Sequence, residues 1–297
     1  MTDKFVSILA SGTGGHVYPA YTIATEFIKQ GYKIIWIGTK DGIENTVVKN
    51  KSITIKHISS TGIRGKSILK RIVGILLLFK SIFQTYSIMK QHKPKLTVGF
   101  GGYVSVSGSI ISYFLKIPLI IHEQNSIAGT ANKINFFFAK QVFETFPNSF
   151  GKVDKKIVHS GNPVREVFSN LIKPEDKYMS SNINLNILAI GGSQGSSFFN
   201  DCLPFAFSYF HNQNISVTHL SGKDNKEQVE DSYKKYNINA VVSEYAEDID
   251  TLYDSASLII CRAGSTTLSE ISKIGRAIIL VPFPHATDNH QFYNANY

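Results

Sequence analysis

Cysteine is scarce: Cys202 and Cys261 are the two in 297 residues. That number excludes a disulfide-stapled scaffold and fits a reducing compartment. With no CxxC pair and no clustered Cys/His group, the sequence also argues against a structural zinc site. Long apolar runs are missing too. The longest, Ile72–Phe79, is bounded by Arg71 and Lys80 and falls far short of the roughly 20 residues that a bilayer span needs. The apolar stretch Phe5–Ala10 after Lys4 runs straight into glycines, so it reads as a first strand and not as a secretory leader. Acid is scarce in one half only. Residues 1–160 hold 21 Lys/Arg against 7 Asp/Glu, and residues 161–297 hold 10 against 15. This asymmetry points the N-terminal half toward an anionic partner, with nucleic acid and an anionic membrane surface as the general candidates.

What remains is ample for a core. Apolar residues make up 43% of the chain and charged residues 18%, which argues against general disorder. The length suggests about two domains. Phe5–Ala10 reads as a strand, Ser11–His16 (SGTGGH) as a glycine loop, and Val17–Gln30 as a helix ended by Gly31. Lys33–Ile37 is the next strand, and a strand, crossover helix and strand imply a parallel sheet. The pattern returns in Leu96–Phe100, Tyr103–Leu115 and Pro118–Ile121. It starts afresh with Asn186–Ile190, Ser197–Phe210, Ser257–Cys261, Thr266–Lys273 and Ala277–Val281. We read an α/β chain of two doubly wound domains, 1–160 and 161–297, joined near Gly161-Asn162-Pro163. Lys173–Asn184 reads as a polar loop and Asn289–Tyr297 as a last helix.

Open α/β sheets bind ligands at the carboxyl ends of their strands, and the polar motifs of this chain all follow predicted strands. The first is Gly12-Thr13-Gly14-Gly15-His16. Glycines there allow close backbone approach, and the helix N-terminus that follows favours an anion. It is not a dinucleotide fingerprint, because Val17 stands where the third glycine belongs and Gly38-Thr39-Lys40 lacks the acidic ribose ligand. His16 is suited to general-base work by an ordinary pKa near roughly 6.5; a histidine bonded within its loop is the alternative. The second motif is Gly99-Phe100-Gly101-Gly102-Tyr103, and the third is His122-Glu123-Gln124-Asn125. The third suits hydrogen bonds to a polyhydroxyl ligand or the capping of a following helix. The fourth, Gly191–Ser196 (GGSQGS), can present backbone N–H groups to a diphosphate. The fifth, Arg262–Glu270 (RAGSTTLSE), starts a helix with polar donors and places Glu270 where a carboxylate can accept from the vicinal hydroxyls of a ribose. Asp248-Ile249-Asp250 has the spacing of a metal-binding DxD, but Glu244–Asp254 reads better as an amphipathic helix. Lys66, Lys70, Arg71 and Lys80 flank Ile72, Ile75, Leu76, Phe79, Ile82 and Phe83, a pattern that fits either a helix lying in a membrane interface or a core helix.

SGTGGH, VGFGGYVS, HEQN, GNPVR, GGSQGS, CRAGSTTLSE and VPFPHATDNHQ follow one another as they do in the MurG family, which the chain resembles from about Phe5 to its last residue. The resemblance implies a GT-B fold, two Rossmann-like doubly wound domains with a cleft between them. It implies an inverting, metal-independent transferase that moves N-acetylglucosamine from UDP-N-acetylglucosamine to the 4-hydroxyl of the muramyl sugar of lipid I, giving lipid II in peptidoglycan synthesis. No cofactor is expected beyond these substrates. By resemblance His16 is the catalytic base. Thr13, Gly14, Gly15, Asn125, Arg165, Ser193, Gln194, Ser265, Thr266, Thr267, Glu270, His290 and Gln291 would serve the donor, with Glu270 on its ribose. Gly14, Gly15, Gly102, Tyr103 and Asn125 would serve the acceptor. Ile72, Ile75, Leu76, Phe79 and Phe83 would meet the anionic cytoplasmic leaflet of the cell membrane, with the protein bound peripherally. Family members continue past the position of Tyr297, so the donor domain is expected to be incomplete at its C-terminus. Two other readings stay open: an inactive UDP-sugar-binding fragment, and a GT-B transferase acting on another membrane lipid. Nucleic acid has only net charge in its favour, and no nucleic-acid partner is expected.

Overall fold

The computed structural model of the chain describes residues 4–60, 68–178, 185–192, 195–210, 213–246 and 248–297, with residues 68–73 and 75 described by their backbone alone. The chain divides into two units, Met1–Val164 and Arg165–Tyr297.

In chain order the N-terminal unit contains β1 (Phe5–Leu9), α1 (Gly14–Lys29), β2 (Lys33–Gly38), α2 (Glu44–Val47), β3 (Ile53–His57), α3 (Ile68–His92) and β4 (Leu96–Gly99). It continues with α4 (Gly102–Phe114), β5 (Leu119–Glu123), α5 (Thr130–Asn135), β6 (Gln141–Glu144) and β7 (Ile157–His159). The strands pair in parallel in the order β3-β2-β1-β4-β5-β6-β7. Strand alternation sorts the core onto two faces. Val6, Ile8, Ile34 and Trp36 pack with Val17, Ala20 and Ala24 of α1. Leu9, Ile35 and Ile37 point the other way, toward Met89 of α3 and Val104 and Ile111 of α4.

The C-terminal unit contains a 3-10 turn at Glu166–Ser169, then α6 (Pro174–Tyr178), β8 (Leu185–Ile190), α7 (Ser197–Ser208), β9 (Ile215–Leu220), α8 (Lys226–Lys235) and β10 (Ala240–Ser243). It ends with α9 (Ile249–Ser255), β11 (Leu258–Cys261), α10 (Ser265–Ile274), β12 (Ala277–Leu280) and α11 (His290–Asn296). Its parallel sheet has the order β10-β9-β8-β11-β12. In each sheet the order reverses once, between β1 and β4 and between β8 and β11. These reversals are where such sheets bind ligands.

Several boundaries differ from the sequence reading. Helix α1 starts at Gly14, so His16 lies within its first turn and not before it. Glycine tolerates helical backbone angles, and the Thr13 carbonyl already accepts from the N–H groups of His16 and Val17, each at 3.2 Å. Strand β5 runs on through His122 and Glu123 because both pair with β6. Pro174–Tyr178 is helical, where the sequence suggests only a loop, since Pro174 suits a first helical position. The helix expected over Glu244–Asp254 is limited to Ile249–Ser255.

Candidate active site

In the N-terminal unit three of the sequence motifs sit at the ends of β1, β4 and β5, beside the reversal of strand order. Thr13 is extended and precedes α1, so Gly14, Gly15 and His16 form the opening turn of that helix. The helix has no acidic side chain of its own in that turn. Gly101 (φ +95°) and Gly102 (φ +73°) open α4 in backbone that disfavours other residues. A Cβ on Gly101 would stand 3.2 Å from Nε2 of His16, so the glycine lets the half-buried imidazole lie against the second loop. Tyr103, half-buried, follows in the first turn of α4.

Of the four polar residues His122–Asn125, three turn inward. His122, Glu123 and Gln124 are 5%, 2% and 0% exposed. Nε2 of His122 donates to the Gly161 carbonyl at 3.0 Å, and its Nδ1 accepts from Gln124 Nε2 at 3.1 Å. Burial holds this imidazole below its ordinary pKa, which keeps it neutral in the tautomer these bonds require. Glu123 accepts from the N–H groups of Asn125 and Gly129, each at 3.0 Å, and from Asn132 Nδ2 at 2.9 Å. The polyhydroxyl-binding role suggested for the whole tetrad is therefore corrected. Its first three members shape the loop, and Asn125 alone is left half-exposed.

In the C-terminal unit Ser265, Thr266, Thr267 and Glu270 follow β11 on α10, and Arg165, at the start of the unit, reaches Glu270. Nε and Nη2 of Arg165 both donate to Oε1 of Glu270, at 3.1 and 2.8 Å. Glu270 is 4% exposed. Burial pushes its carboxyl upward, and the Arg165 guanidinium and the Tyr253 hydroxyl only partly offset that shift. Ser265 is buried at the first position of α10, while Thr266 and Thr267 are half-buried behind it. His290 and Gln291 open α11; Nδ1 of His290 donates to the Thr287 carbonyl at 2.7 Å, and Gln291 Oε1 accepts from the Phe283 N–H at 2.9 Å. Ser193 and Gln194 lie outside the described residues. Asp248 and Asp250 bracket the start of α9. Among the described residues no group of His, Cys, Asp and Glu is arranged to hold a metal ion.

One organising residue, Arg262, stands first in the fifth motif, and the sequence assigns it no role. Arg262 donates through Nη2 to Ser196 Oγ at 2.8 Å and through Nη1 to the carbonyls of Val281 and Pro282. It ties the end of β11 to the cap of α7 and to the segment after β12. The signal was an arginine directly after an apolar strand, where a partly buried guanidinium needs several acceptors.

On α3, Leu76, Phe79 and Phe83 are 63%, 60% and 73% exposed, whereas Ser81 and Thr85 are fully buried. Thr85 donates to Ser107 of α4 at 3.3 Å. The inward face of the helix thus mixes Ser81 and Thr85 with Met89, while Leu76, Phe79 and Phe83 turn outward. Ile82, grouped in the sequence with the exposed set, instead packs on the core. The side chains of Ile72 and Ile75 lie outside the described residues. Among those residues no helix is long and apolar enough to cross a membrane.

Residues 6–144 match the glycosyltransferase family 28 N-terminal domain, and residues 186–297 match the glycosyltransferase family 28 C-terminal domain. The chain is 42% identical to the UDP-N-acetylglucosamine–N-acetylmuramyl-(pentapeptide) pyrophosphoryl-undecaprenol N-acetylglucosamine transferase of Pseudoalteromonas translucida, over 100% of this chain and 82% of that protein. It is 41% identical to the transferase of the same name from Pseudomonas syringae pv. syringae, over 99% of this chain and 82% of that protein. The crystal structure of MurG from Acinetobacter baumannii is similar with a TM-score of 0.78 and 34% identity, covering 99% of this chain and 83% of that one.

Proposed function

The chain belongs to glycosyltransferase family 28, in its MurG branch and with the GT-B fold, and we propose that it makes the disaccharide precursor of peptidoglycan. It transfers N-acetylglucosamine from UDP-N-acetylglucosamine to N-acetylmuramyl-(pentapeptide) pyrophosphoryl-undecaprenol, the lipid I of the sequence reading. The observation that carries this reading is 42% identity along the whole chain to a transferase of that name.

In our reading the C-terminal unit takes the donor. Glu270 receives the ribose hydroxyls, and Arg165, donating to it through two nitrogens, opposes the upward push of burial on its carboxyl. The starts of α7 and α10 face the diphosphate, where helix N-termini stabilise the charge that builds on departing UDP. Ser193, Gln194, Ser265, Thr266 and Thr267 belong to these loops. His290 and Gln291 receive the sugar. The N-terminal unit takes the acceptor, with Gly14, Gly15, Gly102, Tyr103 and Asn125 around its diphosphate and sugar. His16 accepts the proton of the acceptor 4-hydroxyl as its oxygen bonds to the anomeric carbon. The bond from that carbon to UDP breaks, and attack from the opposite face gives a β-(1→4) linkage. Transfer runs without a metal or other cofactor.

The acceptor of the relatives is a pyrophosphoryl-undecaprenol, hence a membrane lipid. We assign Leu76, Phe79 and Phe83 to the interface of an anionic cytoplasmic leaflet, with Ile72 and Ile75 on the same helix, and place the enzyme peripherally on that face of the cell membrane. The exposed Lys80 and Lys90 of α3 support this.

The test is transfer of label from UDP-N-acetylglucosamine to a short-chain lipid I analogue in the presence of a chelator. Disaccharide product is expected. Its absence, with the chain folded and UDP bound, would overturn the reading; product only after a divalent cation is restored would overturn metal independence.

A further inference from the structure

Glu44 is a carboxylate with no solvent exposure, at the first position of α2. Its Oε1 accepts from the Thr39 N–H at 2.7 Å and from the Thr39 hydroxyl at 3.2 Å. Its Oε2 reaches across to the N–H of Gly12 at 3.3 Å. The chain makes room for this carboxylate with two glycines. A Cβ on Gly38 would stand 2.6 Å from Oε1, and a Cβ on Gly42 would overlap the carboxylate itself. Asn45 closes the same turn by donating to the carbonyls of Thr39 and Lys40, at 3.0 and 2.9 Å.

A fully buried carboxylate is stable only where donors replace its hydration. Here the donors come from two segments, the end of β2 and the loop after β1. The second segment is the one that carries Thr13–His16. Gly12 holds φ at +98°, and its N–H is engaged by Glu44. The peptide that begins the loop is therefore fixed in orientation one residue before Thr13. Trp36 anchors the residue two positions further back, donating from Nε1 to the Ala10 carbonyl at 2.9 Å.

We propose that Glu44 is a positioning residue for the acceptor side of the transfer reaction: it fixes the Gly12 peptide and so sets the entry of α1, from which His16 and the glycines project. The proposal rests on the reading that this loop serves the acceptor. Glu44 itself touches no substrate. Its carboxylate also withdraws the Gly12 N–H from any ligand.

The full chain is assayed as Glu44→Gln and as Gly42→Ala. Glutamine keeps the volume but turns an NH2 toward one of the two N–H groups, which breaks one tie. Gly42→Ala leaves Glu44 in place and displaces its carboxylate. Each variant is expected to lower kcat for the lipid I analogue about tenfold or more while the KM for UDP-N-acetylglucosamine stays within about twofold. In a Glu44→Ala background, Gly42→Ala is expected to cost nothing further, because the group it would meet is gone. Parent-like kcat in folded variants overturns the proposal. So does an equal loss of donor affinity, which marks a merely structural role. If Glu44→Gln does not fold, Gly42→Ala and its double variant decide by the same criteria. An active parent with unaltered variants sinks this proposal alone, whereas a folded, UDP-binding parent without transfer sinks it together with the reading on which it rests.

Discussion

Arg165 donates through two nitrogens to a single oxygen of Glu270, 105 residues away in sequence, and both belong to the C-terminal unit. The arrangement holds a buried carboxyl on α10, whose first turn carries Ser265, Thr266 and Thr267. Burial pushes Glu270 up and the guanidinium pulls it down. Removing Arg165 leaves burial with less opposition, so the carboxyl protonates at a higher pH. Arg165→Met is therefore expected to weaken UDP binding more near pH 6 than near pH 8. Glu270→Gln is expected to weaken it about tenfold at both. Calorimetric titration with UDP at the two pH values checks both. Equal losses for Arg165→Met at the two values would count against this electrostatic role.

The outward stripe on α3 gives a second expectation. Phe79 and Phe83 are exposed in the free protein, so replacing them leaves the core intact. Burying one such side chain in an interface stabilises by about 1.5–3 kcal/mol. Phe79→Asp with Phe83→Asp should then weaken binding to vesicles containing anionic lipid at least about tenfold. Turnover of a short-chain acceptor in detergent-free solution should stay unchanged. Co-sedimentation with vesicles measures the first quantity, and unchanged sedimentation would exclude this stripe as the membrane contact.

The parallel sheets and polar loops were legible because an apolar strand followed by Gly-Gly or by Ser/Thr before a helix is a local pattern. The short strands β3, β6, β7, β9 and β10 were not identified in the sequence. Residues such as Gln141–Glu144 carry little apolar pattern, and they become strand through pairing across the sheet. The fate of His122–Gln124 was hidden for the same reason. Their partners Gly161, Gly129 and Asn132 are distant or loop residues that only the fold brings near. On α3 the sequence displays an apolar face but not its direction. That direction shows in the fold, where buried Thr85 meets Ser107 of α4.

His219 of β9 gives a pH dependence of stability. It is fully buried, with Nδ1 3.0 Å from the Tyr233 hydroxyl and no partner at Nε2 among the described residues. Burial pushes its pKa down to about 4. The unfolded chain, with an ordinary histidine near about 6.5, binds the proton more tightly. Stability is therefore complete above about pH 7 and is lost as pH falls through the window from about 6.5 to about 4. The loss from this one group is about 2 kcal/mol by about pH 5. His219→Gln should flatten that slope. Thermal unfolding followed by circular dichroism at the two pH values tests it. Trp36, the single tryptophan, lies in the N-terminal unit, and its fluorescence separates that unit's transition from the one in question.

His16 carries the last expectation. It lies in the first turn of α1, against the Gly101 backbone, half-buried. Removing a general base in such a reaction lowers the rate by about 10²–10⁴-fold. His16→Ala should lower kcat within that range, while UDP affinity, a property of the C-terminal unit in our reading, should not change. His16→Gln separates the proton from the shape: glutamine can hold a hydrogen bond to the acceptor hydroxyl but cannot take its proton at neutral pH. It should be as slow as alanine if His16 is the base, and near the parent if the imidazole only orients the sugar.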